Sequence, residues 1–259
     1  MPDAPKLVLV DLDGTLVGSD GIVSHRNASV LERAVSAGCR VVVATGRPAR
    51  IVTPLRESLG HAVALCYNGA IVLDLATGDI LDAHVLDGRV FQHSVERVRT
   101  LGYDFVVGVE GMPDVGMRAE DGFREGFPIP RGTLDEICSV DVVKGLVRVE
   151  ADQFDAVWDA FVSFSDTLEV TRSGVEGLIE VSAVGVSKGG VVAGLAASWG
   201  VDAADAIAFG DMPNDLEMFR WAGRSVAMGN AEPEVKLAAT EVGLHHNDDA
   251  VAQVLERWF

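Results

Sequence analysis

Apolar residues along the chain fall into two kinds of run. Short, nearly continuous stretches rich in Val and Ala occur at 6–10, 40–44, 206–209 and 225–228. These read as strands buried on both faces, the pattern of a parallel sheet. Between them lie stretches with helical spacing. They predict helices over 27–37 (ended by Gly38), 48–59 (Pro48 in its first turn), 187–199 (behind a Ser cap) and 213–222. A strand, helix, strand succession joins parallel strands through a crossover. The apolar runs 61–67 and 70–75 flank Asn68-Gly69. That dipeptide between such runs predicts a hairpin, and a plain turn and a site role for Asn68 carry equal weight.

Over 82–183 the texture changes. Helices are predicted at 89–100 and 153–164, and strands at 103–109, 142–150, 168–171 and 178–181, with a Gly/Pro-rich stretch of little periodicity over 110–131 that reads as a long loop or a small lobe. The aromatic residues of 153–164 have helical spacing and read as core. The simplest parse is an α/β fold: a doubly wound core of residues 1–82 and 184–259, split by an inserted α/β unit over 83–183.

Composition narrows the function. Of 259 residues 48% are hydrophobic and 23% charged, which excludes a disordered chain. The net charge of −18 argues against nucleic acid and against an anionic membrane surface as partners. No apolar run approaches the ~18 residues of a membrane span, and the N-terminus has no signal-peptide pattern, so a cytoplasmic protein is expected. Cys39, Cys66 and Cys138 are far apart with no metal or redox spacing, and read as buried thiols.

Four places carry candidate chemistry. Asp11 and Asp13 end the first strand, two residues apart, where they can point the same way. Close carboxylates call for a cation or a shared proton, and hard oxygen ligands favour Mg²⁺. Thr45-Gly46-Arg47 stands at a strand end and helix start, where a hydroxyl and free N–H groups form an anion site. Lys188 is one of only four lysines and sits in the first turn of a helix, against the helix dipole. Asp211 and Asp215, with Asn214, follow another buried strand. Ligands of such open sheets bind at the carboxyl ends of strands. Together these groups describe a phosphoryl-transfer site. His245-His246 reads as a pair of surface histidines, pointing opposite ways on a strand.

Asp11-Leu12-Asp13-Gly14-Thr15, Thr45-Gly46-Arg47, Val186-Ser187-Lys188-Gly189 and Gly210-Asp211 through Asn214-Asp215 resemble the four motifs of the haloacid-dehalogenase superfamily of phosphatases. Asn68-Gly69 and Met228-Gly229-Asn230-Ala231 resemble its Cof-type branch (subclass IIB), which carries a large α/β cap between the second and third motifs. The resemblance implies a Rossmann-like core with a C2-type cap that selects substrate. It also implies a Mg²⁺-dependent phosphatase of a small phosphorylated metabolite, a sugar phosphate or similar monoester. In that mechanism Asp11 is the nucleophile and Asp13 the acid–base. Thr45 and Lys188 complete the catalytic set. Gly46, Arg47, Asn68, Gly69 and Asn214 are expected at the substrate, and Asp11, Asp13, Asp211 and Asp215 at the metal.

Within the cap, the loop 110–131 and the region 172–180 are candidates for selecting substrate, with Arg118, Arg124 and Arg172 as contacts. A phosphohexomutase-like transfer and a non-hydrolytic phosphate-binding module are the alternatives. A monomer or homodimer is expected.

Overall fold

The computed structural model describes residues 3–172 and 175–259. In chain order the elements begin with β1 (Leu7–Asp11), α1 (His25–Ser36), β2 (Arg40–Ala44), α2 (Ala49–Val52), α3 (Arg56–Leu59), β3 (Val63–Cys66), β4 (Ile71–Asp74) and β5 (Ile80–Ala83). Next come α4 (Gly88–Arg99), β6 (Phe105–Glu110), β7 (Met117–Ala119), α5 (Leu134–Ile137), β8 (Lys144–Val149), α6 (Phe154–Val162), β9 (Glu169–Arg172) and β10 (Leu178–Ser182). The chain then forms α7 (Lys188–Ser198), β11 (Ala206–Gly210), α8 (Leu216–Trp221), β12 (Arg224–Ala227), α9 (Pro233–Ala238), β13 (Glu241–Val242) and α10 (Ala250–Leu255).

These elements form two compact units, Met1–Asp82 with Ser187–Phe259, and Ala83–Val186. In the first, the described strands form one sheet in the order β13-β12-β11-β1-β2-β3-β4-β5. From β13 to β3 the pairs are parallel, and β4 runs antiparallel to β3. Every residue of β1 and β11 is buried, as strands flanked on both sides by parallel neighbours require. Helix α1 is capped by Ser24, whose side chain accepts from the Asn27 amide, and buries Asn27, Val30, Leu31 and Ala34 at helical spacing.

The register fixes where the chemistry lies. Asp11 is opposite Ala44 of β2, and Val10 is opposite Phe209 of β11. The residues that follow, Thr45 and Asp211, therefore leave the same sheet edge beside Asp11, at the carboxyl ends of three adjacent strands.

In the second unit the described strands form an antiparallel sheet, in the order β7-β6-β8-β10-β9. Phe91, Val95 and Val98 of α4 and Val157 and Phe161 of α6 pack on one face with Val107, Val109, Val147, Ile179 and Val181. Phe154 and Trp158 lie partly buried against the same cluster, so the aromatic residues of this helix are core, as their spacing predicts.

Several expectations are corrected. The helix expected over 48–59 is broken into α2, a 3₁₀ turn at Thr53–Leu55 and α3, because Pro54 has no N–H to continue the ladder. Of the two readings of 110–131, a long loop or a small lobe, the structure favours the lobe. The stretch contributes β7, and Met117, Phe123 and Ile129 form a small core with Leu146 and Leu178 on the sheet face opposite α4 and α6. The turn at Asn68-Gly69 spans four residues rather than two, since Cys66 pairs with Ile71, and Tyr67 and Asn68 both have positive φ. His245 and His246 belong to no strand: they open a 3₁₀ turn, with ring centroids 4.6 Å apart. His246 is half-buried, its Nδ1 2.9 Å from the Val17 carbonyl oxygen. Among the described residues, no helix is long and apolar enough to cross a membrane.

Candidate active site

The centre of the site is a buried ammonium between two carboxylates. Lys188 Nζ donates to Asp11 Oδ1 at 2.6 Å and to Asp215 Oδ1 at 2.7 Å. Lys188 is 2% exposed, Asp11 4% and Asp215 0%. Lys188 is the first residue of α7 and Ser187 its cap, the Ser187 hydroxyl accepting from the Gly190 amide. The unfavourable place of a cation at a helix start is thus offset by two carboxylates.

Asp215 is engaged at both oxygens, its Oδ2 accepting from the backbone amides of Asp211 and Met212 at 3.0 and 3.1 Å. Asp211 accepts from the Thr15 hydroxyl at 3.0 Å and lies 3.4 Å from Asn230 Nδ2, which also donates to the Gly14 carbonyl. Two glycines make this packing feasible. A Cβ on Gly14, at φ +75°, falls 2.3 Å from Asp211 Oδ2, and one on Gly210 falls 2.5 Å from Asp215 Oδ2.

Burial is the largest influence on Asp11 and pushes its carboxyl to about 8, the Asp215 charge adding to the rise while the Lys188 ammonium opposes it. Asp211 is raised to about 6, first by burial and then by Asp215, against its hydrogen bond from Thr15. Burial alone lowers Lys188, but the Asp11 and Asp215 carboxylates outweigh it and hold the ammonium charged.

One oxygen each of Asp11, Asp211 and Asp215 lies within 4.8 Å of the others. Three buried carboxylates face one ammonium, so negative charge is in excess in a place that water does not screen. A divalent cation fits that imbalance and the oxygen-only donor set. The buried Asn214 Oδ1 has no donor among the described residues, and it suits an N–H or O–H that the chain does not supply. Asp11 is the open member of the set: among the described residues no hydrogen bond reaches its Oδ2, whereas Asp215 is shared with Lys188 and two amides and Asp211 is held by Thr15 and Asn230.

The second strand end closes on itself. Thr45 is buried, and its Oγ1 accepts from the Arg47 amide at 3.1 Å. The Asn68 amide donates to the Thr45 carbonyl at 2.8 Å, which brings the Asn68-Gly69 turn beside Thr45-Gly46. The Arg47 guanidinium is engaged with Asp13, donating from Nε at 2.9 Å and from Nη2 at 2.5 Å. Asp13 itself faces solvent, with 59% of its side chain exposed.

The structure therefore brings Asp11, Asp211, Asp215 and Lys188 into one hydrogen-bonded group, with Thr15 and Asn230 supporting Asp211. Among the described residues, no hydrogen bond joins Asn214 to Lys188. Sequence reasoning gave no part to Thr15 or to the Asn230 amide, although both lie in quoted motifs. Their partners are some two hundred and some twenty residues away, and only the fold reveals them.

In the second unit, Arg172 pairs with Asp155 and lies over the rings of Phe154 and Trp158. Arg118 is half-buried in β7, and Arg124 is exposed. Residues 173 and 174 of the candidate region 172–180 lie outside the described residues.

Comparison with known proteins agrees with this geometry. The sequence model of the haloacid dehalogenase-like hydrolases matches residues 8–255. A putative phosphatase of Streptococcus pyogenes is 28% identical over 265 aligned residues, covering 98% of each chain. The pyridoxal phosphate phosphatase YbhA of Escherichia coli is 26% identical, covering 96% of this chain and 97% of its own. The crystal structure of a haloacid dehalogenase-like hydrolase from Bacteroides thetaiotaomicron superposes with a TM-score of 0.81 at 28% identity, over 98% of this chain and all of the other.

Proposed function

The chain belongs to the haloacid dehalogenase-like hydrolase family as one of its phosphatases, and we propose that it hydrolyses a small phosphomonoester with Mg²⁺ through an aspartyl-phosphate on Asp11. The observation that carries this reading is the state of the Asp11 carboxylate. One oxygen is fixed by Lys188, and among the described residues no hydrogen bond reaches the other, at the carboxyl end of the central strand.

Asp11 Oδ2 attacks phosphorus in line as the bond to the leaving oxygen breaks, and the Asp13 carboxyl gives that oxygen a proton. Water then attacks the same phosphorus, Asp13 takes back a proton, and the bond to Asp11 breaks to release inorganic phosphate. Lys188 offsets charge on the nucleophile and the phosphoryl oxygens. The Thr45 hydroxyl and the Gly46 amide bind phosphoryl oxygen in the loop that follows β2. Asp11, Asp211 and the Asp13 main-chain carbonyl would hold Mg²⁺, with Asn214 and Asp215 as supporting residues. When bound, that ion supplies charge neutralisation between carboxylate and phosphate. The inserted α/β unit is the proposed cap that selects the leaving group. The relative acting on pyridoxal phosphate supports a compact phosphomonoester as the substrate class.

The test is phosphate release from p-nitrophenyl phosphate, with Mg²⁺ and with a chelator, in wild type and Asp11→Asn. Turnover that needs Mg²⁺ and disappears in the variant is expected. Undiminished turnover in Asp11→Asn refutes the covalent route. Net release of phosphate also separates hydrolysis from a mutase, which returns the group to substrate.

A further inference from the structure

Arg47 stands where a phosphate ligand is expected, yet its guanidinium forks onto Asp13, Nε to Oδ2 and Nη2 to Oδ1. The two partners are unequally fixed. Asp13 is the exposed one, beside a glycine at positive φ, and among the described residues no other side chain holds its carboxylate. Arg47 is three-quarters covered. Its amide donates to Thr45 Oγ1, its carbonyl accepts from the Tyr67 amide at 3.0 Å, and Pro48 follows it. The anchored residue therefore sets the direction of the free one. An ion pair this exposed adds little stability. Its value is geometric, because a planar fork fixes the plane and heading of a carboxylate. The fork occupies about two of the four lone-pair sites of the carboxylate, so a proton still has a place to sit.

We propose that Arg47 is a positioning residue for Asp13, aiming its carboxyl at the leaving oxygen and the incoming water, rather than a direct ligand of the phosphoryl group. This rests on the acid–base role of Asp13 proposed above.

The experiment compares kcat/KM for phenyl phosphate and p-nitrophenyl phosphate. The two esters are similar in shape, but only the first has a leaving group that needs a proton. It is run for wild type, Asp13→Asn, Arg47→Ala, Arg47→Lys and the Asp13→Asn/Arg47→Ala double variant. The inhibition constant of inorganic phosphate is measured for each. Asp13→Asn is expected to lose about 100-fold on phenyl phosphate and much less on the nitro ester. Arg47→Ala follows the same pattern, about tenfold on phenyl phosphate, with phosphate inhibition unchanged and no further loss in the double variant. Arg47→Lys keeps the charge and the packed stem but cannot fork, and it shares the defect.

Equal losses on both esters, with weaker phosphate inhibition, make Arg47 a phosphate ligand and overturn the proposal. So does an Arg47→Ala variant that behaves as wild type. If Asp13→Asn treats the two esters alike, the acid–base reading itself fails, which is visible without any Arg47 variant.

Discussion

Lys188 Nζ lies 2.7 Å from Asp215 Oδ1, and the other oxygen of that carboxylate accepts two backbone amides. Asp215 thus joins the start of α7 to the turn after β11 while neutralising half of a buried ammonium's surroundings.

In Asp215→Asn, an NH₂ group must face either the Lys188 ammonium or the two amides of Asp211 and Met212. Donor then meets donor in a buried place. A loss of about 1–3 kcal/mol is expected from urea unfolding, together with reduced turnover. Unchanged stability and turnover together refute this account of Asp215.

Removing the ammonium has the opposite electrostatic sense. Lys188→Met leaves Asp11, Asp211 and Asp215 clustered without a counter-charge. Stability is expected to fall by about 3–5 kcal/mol, and Mg²⁺ to restore more of the melting temperature than in wild type. A loss that Mg²⁺ does not reduce contradicts the charge argument.

Asp211→Asn keeps the hydrogen-bond acceptor for Thr15 and removes the charge. Mn²⁺ titration followed by electron paramagnetic resonance is expected to show at least tenfold weaker binding than wild type. The stabilisation that a bound ion gives the native state, seen as a rise in melting temperature with added Mg²⁺, is expected to disappear. Retained Mn²⁺ affinity removes Asp211 from the proposed metal site.

Gly14→Ala places a methyl carbon against the Asp211 carboxylate and asks an L side chain to hold φ +75°. Strain of about 1–3 kcal/mol is expected in unfolding measurements, with a larger proportional loss of turnover because Asp211 must move. A variant of wild-type activity shows that Asp211 tolerates displacement.

Burial pushes each of the Cys39, Cys66 and Cys138 thiols up to about 12. Thiolate is the reacting form, so at pH 8 the native protein should be inert to a disulfide reagent. All three cysteines should react in denaturant, as a count of released chromophore will show.

Much of this was legible because burial leaves a plain mark. The Val-rich runs of β1 and β2 are buried on both faces, and their carboxyl ends carry the acids and the hydroxyl by short-range connectivity. What escaped was exposed or brief. Strand β5 is an edge with little burial and so no continuous apolar run. Helix α5 spans one turn, announced only by the Thr133/Glu136 capping box. The Arg47–Asp13 fork joins residues 34 apart on two strand ends. A residue pattern can suggest that both face a ligand but not that they face each other.

The order of the central strands has a consequence in time. β1 and β11 are neighbours, Leu7 beside Ala206, although about two hundred residues of chain separate them. A ribosome adding roughly 5–20 residues each second takes roughly ten to forty seconds to cross that gap. For most of it the nascent chain carries the Asp11 and Asp13 pair without Lys188, and for all of it without Asp211 or Asp215. Phosphate chemistry is thereby tied to near-complete synthesis, and a truncated polypeptide presents Asp11, the proposed nucleophile, without the partners that arm it.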